Sequence, residues 1–598
     1  MPVSPLAEET NVFSYTILSA GKEIPSTYEV MSMNISSKIN EISSAEITIR
    51  DGSSSEQVFK VTDSDTFKPD TEIEIKLGYE SKNDSIFKGK VLSESITVSE
   101  GNVASLKVYC KDVSDVLSKN NETANFIKKK DSEIIETTIT NAGLTADVTA
   151  TKLVREEVNK PQQSDWDFIS ELVDNNGMIM ITEGGKVTVG KPLVSATPVL
   201  QVQFGYDMIE FDSEINSADQ YSGVKCSGWD IETLKRIEAT AAEPTVNKEG
   251  DLDGSTLSKA LSANVLELKS AATYAQDELQ AWADATLLRI RLSRFAGSVS
   301  FHGTAKAKVN STIKLMGLSA RFNGDSYISG ITHSISGGSW HTTATIGVPK
   351  ESFREKKSLS TPGNASSTKG ASFHGLQTGI VKKIDSDPDN LFRVQVQIPI
   401  LGDDSEPVWA RLPTFYAGNS IGAYFMPEVD NEVILGFMDD VPSAPVILGS
   451  VFSKNIAAPE TPDEKNTIKT LITQSKLQLK FDDENKVITV LTPGGNTLVL
   501  SDKDKGITVT DQNSNKIETN DKGITITDTS GNKVEMVSDG ITLDSKKNVT
   551  LKAADDVSIK GKSITIDGSE STTVKGSSSC EVSSGSEMSV KGSMVKIN

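Results

Sequence analysis

Gly418-Asn419-Ser420-Ile421-Gly422 fits the pattern G-x-S-x-G, which in α/β-hydrolases turns a strand sharply into a helix and exposes a serine nucleophile. That chemistry needs a histidine downstream to take the serine proton. The chain has four histidines, His302, His333, His341 and His374, and none follows Ser420. The segment therefore reads as a loop. Asp385-Ser386-Asp387-Pro388-Asp389-Asn390 spaces its carboxylates as a calcium loop does, but Asn390 and Val396 replace the required glycine and bidentate glutamate. Pro388 constrains the turn as well, so a strand connection is expected. His333 and His341 would be neighbours on paired strands, yet two imidazoles without cysteine or a close carboxylate motif fall short of a metal set. Neither GxxxxGK[ST] nor GxGxxG occurs, which leaves nucleotide chemistry unsupported. No catalytic, metal or cofactor-binding residue is expected.

The elements around these residues are mainly strands. Ala45–Arg50, Thr71–Leu77 and Ser105–Tyr109 alternate apolar and polar residues, the mark of half-buried strands. Asp165–Asn175 changes period: Trp166, Ile169, Leu172 and Val173 share a helical face, and Asn176-Gly177 supplies a stop. A helical segment is expected over about 255–292, rich in Ala, Leu, Glu and Lys with no Pro or Gly inside Ser255–Phe295. Strands resume to Val348, with Tyr327–Ile331 and Thr342–Ile346 the clearest. Residues 358–374 have linker composition. Between 375 and 453, six short strands separated by turn clusters suit a small barrel, with an OB-fold the leading candidate. These strands are Gly379–Ile384, Phe392–Ile398, Pro407–Leu412, Ile421–Phe425, Glu432–Phe437 and Pro445–Ser450. A second polar linker covers 454–475.

Composition narrows the function classes. At 598 residues the chain has room for several domains. Its 82 acidic and 61 basic residues give a net charge of −21, a poor match for a nucleic-acid backbone. No apolar run is long enough to span a bilayer, and MPVSPLAEETNVFS lacks the basic and apolar regions of a signal peptide. Cys110, Cys226 and Cys580 are too widely spaced for a disulfide framework, so folding in a reducing cytosol is expected.

The last region, 476–598, is repetitive. Gly506-Ile507-Thr508-Val509-Thr510-Asp511 recurs 17 residues later from Gly523, and again in shortened form from Gly540. Asn515-Lys516-Ile517-Glu518 and Asn532-Lys533-Val534-Glu535 recur between these units, so each repeat holds two strands. Beyond Lys546 the period halves. Leu551, Ile559, Ile566, Val574, Val582, Val590 and Ile597 form one column at spacings of seven or eight residues. Val549, Val557, Ile564, Thr572, Cys580, Met588 and Val595 form a second, offset by two. Cys580 is thus expected to serve as a small core hydrophobe. Two inward side chains cannot offset the ordering of eight residues in an isolated chain, and the strand edges would stay unpaired. Three chains wound together solve both problems, with glycines easing the corners. A disordered tail does not explain the fixed register, and a monomeric β-helix needs a longer period. No proline follows Pro493 and no aromatic follows Phe481, as a narrow hydrogen-bonded axis requires.

Taken with this needle, the barrel segment resembles the VgrG family, the spikes of type VI secretion, which are similar to fused hub and spike proteins of contractile-tailed phages. The resemblance rests on Val408-Trp409-Ala410-Arg411, Ala417-Gly418-Asn419, Gly422, Pro427-Glu428, Glu432-Val433, Phe437, Pro442, Pro445-Val446-Ile447 and Gly449. Ser164–Ile169 and His333 match the hub, which spans 1–357. The resemblance implies phage-hub-like β-barrel domains, an OB-fold and a C-terminal intertwined trimeric β-helix. It also implies a homotrimer on a hexameric inner tube, surrounded by baseplate proteins and tipped by a PAAR-type protein. Effectors are the implied cargo, and the target membrane is pierced mechanically. The protein is expected to assemble in the cytoplasm and then be ejected through the envelope, without enzymatic activity. Its sequence ends in octad register at Val595-Lys596-Ile597-Asn598, where a tip partner is expected to bind and no effector domain is expected. A phage-tail or extracellular injection-particle spike fits the same features. The rivals from other classes are a cell-surface hydrolase and an adhesin with a repetitive stalk.

Overall fold

The computed structural model describes residues 3–7, 12–100, 103–260, 264–349, 375–402, 405–441 and 443–597. The expected linker at 358–374 and the tip residue Asn598 lie outside them. The chain divides into two compact units, Met1–Ile456 and Ala457–Asn598.

In the first unit, alternation sorts side chains across the pleat. Ser44–Arg50 buries Ala45, Ile47 and Ile49 while Glu46 and Arg50 face water. Strands of this kind build one 13-stranded sheet. Segments between Phe13 and Lys111 form one half around Ile47, Ile73, Ile75 and Leu106, and segments between Leu200 and Ile346 form the other around Val299, Phe301 and Ile328. Val30–Lys38 joins the halves by pairing with Gly324–Ser336, which sets Ile35 opposite His333.

Two smaller layers are inserted. The helices Asp131–Asn141 and Asp165–Asn175 share a core with the three strands Thr145–Val148, Ile179–Glu183 and Lys186–Gly190. The second helix has its expected bounds. Ser164 Oγ accepts the Asp167 N–H at its start, and Gly177, at φ +58°, follows its end. The expected helix over 255–292 is instead a short helix, Gly254–Ala260, a strand, Leu266–Thr273, and a helix, Gln276–Leu292. The strand lies parallel to Val224–Asp230 and buries Ala272. Pairing with a strand distant in sequence overrides the helical propensity of Leu, Glu, Lys and Ala.

Residues 377–450 form a five-stranded sheet in the order Val408–Ala410, Val394–Gln397, Gln377–Lys383, Glu432–Phe437, Pro445–Ser450. The two ends of this order meet. Arg411 N–H donates to Pro445 O at 3.0 Å and Ile447 N–H to Arg411 O at 2.8 Å, a parallel closure. The closed order, with a single parallel seam, is that of an OB barrel.

The second unit begins its sheet at Ile468, upstream of the boundary expected at 476. Nine five-residue strands, from Ile468–Ile472 to Gly540–Asp544, pair each with the next in antiparallel fashion. The strands of the 17-residue repeats therefore hydrogen-bond within one chain, where sequence had suggested pairing between chains. The loops explain the difference. They are short enough to return the strand, and each five-residue loop carries its own clamp. In 511–515, Asp511 accepts the Asn515 N–H and side-chain amide, both at 2.8 Å. In 528–532, Asp528 holds Asn532 the same way at 2.8 and 2.7 Å. From 545 to 597 no strand is present among the described residues.

Candidate assembly surfaces

Among the described residues, those singled out for catalytic potential are not brought together. Ala417–Gly418 and Ile421–Gly422 pair as a two-residue hairpin, so Ser420 (φ +59°) is exposed at a hairpin tip and starts no helix. Asp387 is occupied without a metal. Its carboxyl accepts backbone N–H groups of Asp389, Leu391 and Arg393, and the Arg393 guanidinium reaches it at 2.6 Å. Burial opposes ionisation there, but these donors outweigh it and hold the Asp387 carboxyl down at about 2.

His333 and His341 are not register partners. His333 faces Thr342 and His341 faces Ser334, so the two imidazoles fall on opposite faces. His333 is buried. Its Nδ1 accepts from Trp340 Nε1 at 3.3 Å and lies 3.0 Å from Thr342 Oγ1. Burial, with a smaller contribution from Lys308, pushes His333 down to about 3. It is a neutral core residue. No cluster of three or more metal-ligating side chains occurs among the described residues.

The notable chemistry is unpartnered apolar surface. In the nine-stranded sheet the register aligns two ladders on one face. Leu479, Val490, Leu498, Val509, Ile517, Ile526, Val534 and Leu543 follow one another across successive strands. Phe481, Ile488, Leu500, Ile507, Thr519, Ile524, Met536 and Ile541 run beside them. The other face carries Thr489, Thr508, Glu518, Thr525, Glu535 and Thr542. The apolar face is half-exposed in the single chain, Ile524 at 40%.

The octad columns are barer. Leu551, Ile559, Ile566, Val574, Val582 and Val590 are 64–72% exposed, and Ile597 is 91% exposed. Val595 and Lys596, the other described residues of the expected tip, are exposed too. Cys580, placed in the second column, is also exposed. In one chain, then, the expected core is only a surface. The glycines there do not take the positive φ that turning corners suggested. Gly576 is needed for close approach, since a Cβ would lie 1.9 Å from Ser579 O. Gly523, at φ +144° and the head of a sheet strand, does require glycine's conformational freedom.

A third surface was missed in the sequence. Phe415, Tyr416, Ile421, Tyr424 and Phe425 are all exposed on the hairpin of the OB barrel. The signal is the pair of aromatic dipeptides, Phe415-Tyr416 and Tyr424-Phe425, of which only the second falls in an expected strand, Ile421–Phe425.

A large two-cored β-sheet, an OB-type barrel and a repetitive apolar-faced sheet are together the features of baseplate hubs and spikes, and comparison with known proteins points the same way. The chain belongs to the family of the Alg8 N-terminal domain, whose model matches residues 9–337. The type VI secretion system/phage-baseplate injector OB domain matches 377–452, and the phage baseplate V C-terminal trimerisation domain matches 487–547. Comparison with curated proteins gave no match.

Among solved structures, the chain is similar to a PdpA–VgrG complex of Francisella in its lidded form. The identity is 12% and the TM-score 0.51, over 83% of this chain and 79% of that one. The lidless PdpA–VgrG complex gives 11% and 0.51, over 83% and 98%. An E. coli type VI secretion component likened to phage T4 tail proteins gives 13% and 0.41, over 73% and 99%. The fold is that of the chain matched in the two PdpA–VgrG structures.

Proposed function

We propose that three copies of this chain form the central spike of a contractile injection machine and that the protein works mechanically. The first unit sits on the hexameric inner tube and organises the baseplate proteins. The second unit forms the needle. A small PAAR-type tip protein binds the layer of Val595, Lys596 and Ile597, and effectors travel with the complex. Assembly takes place in the cytoplasm, after which the spike is ejected and crosses the target membrane by force, without binding nucleic acid.

The observation carrying this reading is the apolar face of the needle. A single chain leaves two mainly aliphatic ladders half-exposed over eight strands and both octad columns open. A soluble monomer rarely exposes so long an apolar strip. Three copies facing an axis would cover it, and fully burying each such side chain contributes about 1.5–3 kcal/mol.

Light scattering on the purified chain tests the assembly: a mass three times that of the chain is expected, and a monomer at micromolar concentration would overturn it. Envelope-degradation assays test the absence of enzymatic activity. Measurable hydrolysis that disappears in Ser420→Ala would replace this reading with the hydrolase.

A further inference from the structure

The OB barrel has two ends of opposite chemistry. Gln377–Lys383 runs antiparallel to Val394–Gln397 and Glu432–Phe437, and these in turn to Val408–Ala410 and Pro445–Ser450. The register therefore gathers the connections through Leu401 and Val441 at one end. It gathers those through Phe392 and Ser420 at the other, where the last strand finishes at Ser450. The first end is occupied within the same unit. Leu401 O accepts from Thr123 Oγ1 at 2.9 Å, Glu406 O from Asn125 Nδ2 at 3.0 Å and Asp439 Oδ2 from Ser270 Oγ at 2.6 Å. Val441 lies in one core with Leu279, Ala283 and Leu287.

The second end is apolar and bare. Both members of Phe415-Tyr416 and of Tyr424-Phe425 are exposed, Phe415 at 89%, so the barrel covers neither side of their hairpin. Phe392, on the other connection at this end, is 79% exposed and takes φ +58°, a left-handed backbone that bulky residues avoid. It is held there from both sides, because Asp387 accepts the Leu391 N–H at 2.9 Å and the Arg393 N–H at 3.1 Å. A strained backbone so fixed, carrying a ring left in water, points to a use of that ring outside the chain. No Asp, Glu, Lys, Arg or His occurs from Leu412 to Pro427, in a chain that is 24% charged.

Apolar patches of this kind mark contact with a protein or a membrane. Two observations favour the membrane. Rings exposed on both arms of one hairpin call for a medium that closes around them, which a fluid interface does and a flat protein face does not. Phe and Tyr are also residues of the bilayer interface, where rings sit at the level of the headgroups. Charge selects the lipid. A chain of net charge −21 is repelled by anionic headgroups, whereas an uncharged hairpin complements a zwitterionic surface.

We propose that this end of the barrel is a lipid-contact surface, with the hairpin and Phe392 lying in the headgroup region of a zwitterionic bilayer. Asp387 is a positioning residue that holds the Phe392 loop. The contact needs one barrel only, so it stands or falls separately from the trimeric reading.

The test is flotation of the full-length protein with phosphatidylcholine vesicles. The unaltered chain is expected to float with them. Phe415→Ser with Tyr424→Ser is expected to weaken partitioning at least about tenfold, with the mass by light scattering unchanged. Phe392→Gly is expected to weaken it too while the melting temperature holds or rises, since glycine takes φ +58° without strain. Adding phosphatidylglycerol to the vesicles is expected to lower binding.

Failure of the unaltered chain to float would overturn the proposal. Equal flotation of the double variant would do so as well, by moving the lipid contact to another apolar surface. A changed mass in that variant would make the hairpin a contact between copies instead. Tighter binding to phosphatidylglycerol would overturn the choice of lipid. If the double variant misfolds, Phe392→Gly carries the test alone, and unchanged flotation with a lowered melting temperature would make the ring structural.

Discussion

The two units treat their apolar residues in opposite ways. In the first, Ile47, Ile49, Ile73, Leu106 and Phe301 are removed from water by strands of the same chain. In the second, apolar residues are as regular but remain exposed over nine strands and seven octads. A twisted sheet whose halves carry layers of other elements can close a core by itself, whereas a ribbon one chain wide cannot. The hub is therefore a folding unit and the needle an assembly unit. Stability of the first should not depend on protein concentration, while that of the second should.

Four changes would break or sharpen that contrast. Val574→Asp has the largest expected effect, because it sets three carboxylates on one axis, each unpaired charge costing about 3–5 kcal/mol. Trimers should be lost by light scattering, with the hub's melting transition unmoved. A hub that melts earlier in this variant would show that the units do not fold separately. Ile47→Ala removes a fully buried side chain and should cost the hub about 2–5 kcal/mol, read by calorimetry as an earlier hub transition with the trimer mass retained.

A third, smaller effect concerns pH. Glu249 is buried, its Oε1 has no hydrogen-bond partner, and Arg294 lies 3.7 Å from its other oxygen. Burial outweighs the arginine and pushes the carboxyl up to about 7. A carboxyl raised on folding takes up protons as the chain folds. Its contribution therefore falls as pH rises from the unfolded value near 4.5 through 7. Glu249→Gln should leave the hub unchanged at pH 4.5 and raise its melting temperature by about 2–4 °C at pH 8. An advantage that is the same at both pH values would refute the assignment. The smallest effect belongs to Asp528→Ala. It frees one exposed loop, so hydrogen exchange should quicken at 529–532 while trimer mass and both melting transitions hold.

Much of the architecture was legible because it follows from local alternation and punctuation. Asp165–Asn175, Glu432–Phe437 and Pro445–Ser450 have the bounds their residues imply. The strand Leu266–Thr273 was hidden, since its alanines and leucine suit a helix and only parallel pairing with Val224–Asp230 makes it a strand. His333 and His341 were close in sequence, but strand register set them on opposite faces. The aromatic hairpin was visible as residue types, while its exposure depended on the barrel closing beneath it.

By itself, then, the sequence determined which residues alternate, where repeats begin, and the change in period from seventeen to eight. These are properties of covalent order and of the two-residue pitch of a strand. Only the tertiary structure decided which strands pair within the chain. Backbone donors and acceptors are alike at every position, so the choice falls to loops. Short loops such as 473–477, 511–515 and 528–532 turn the chain back on itself, and after Asp544 no described residue pairs with the sheet's last edge.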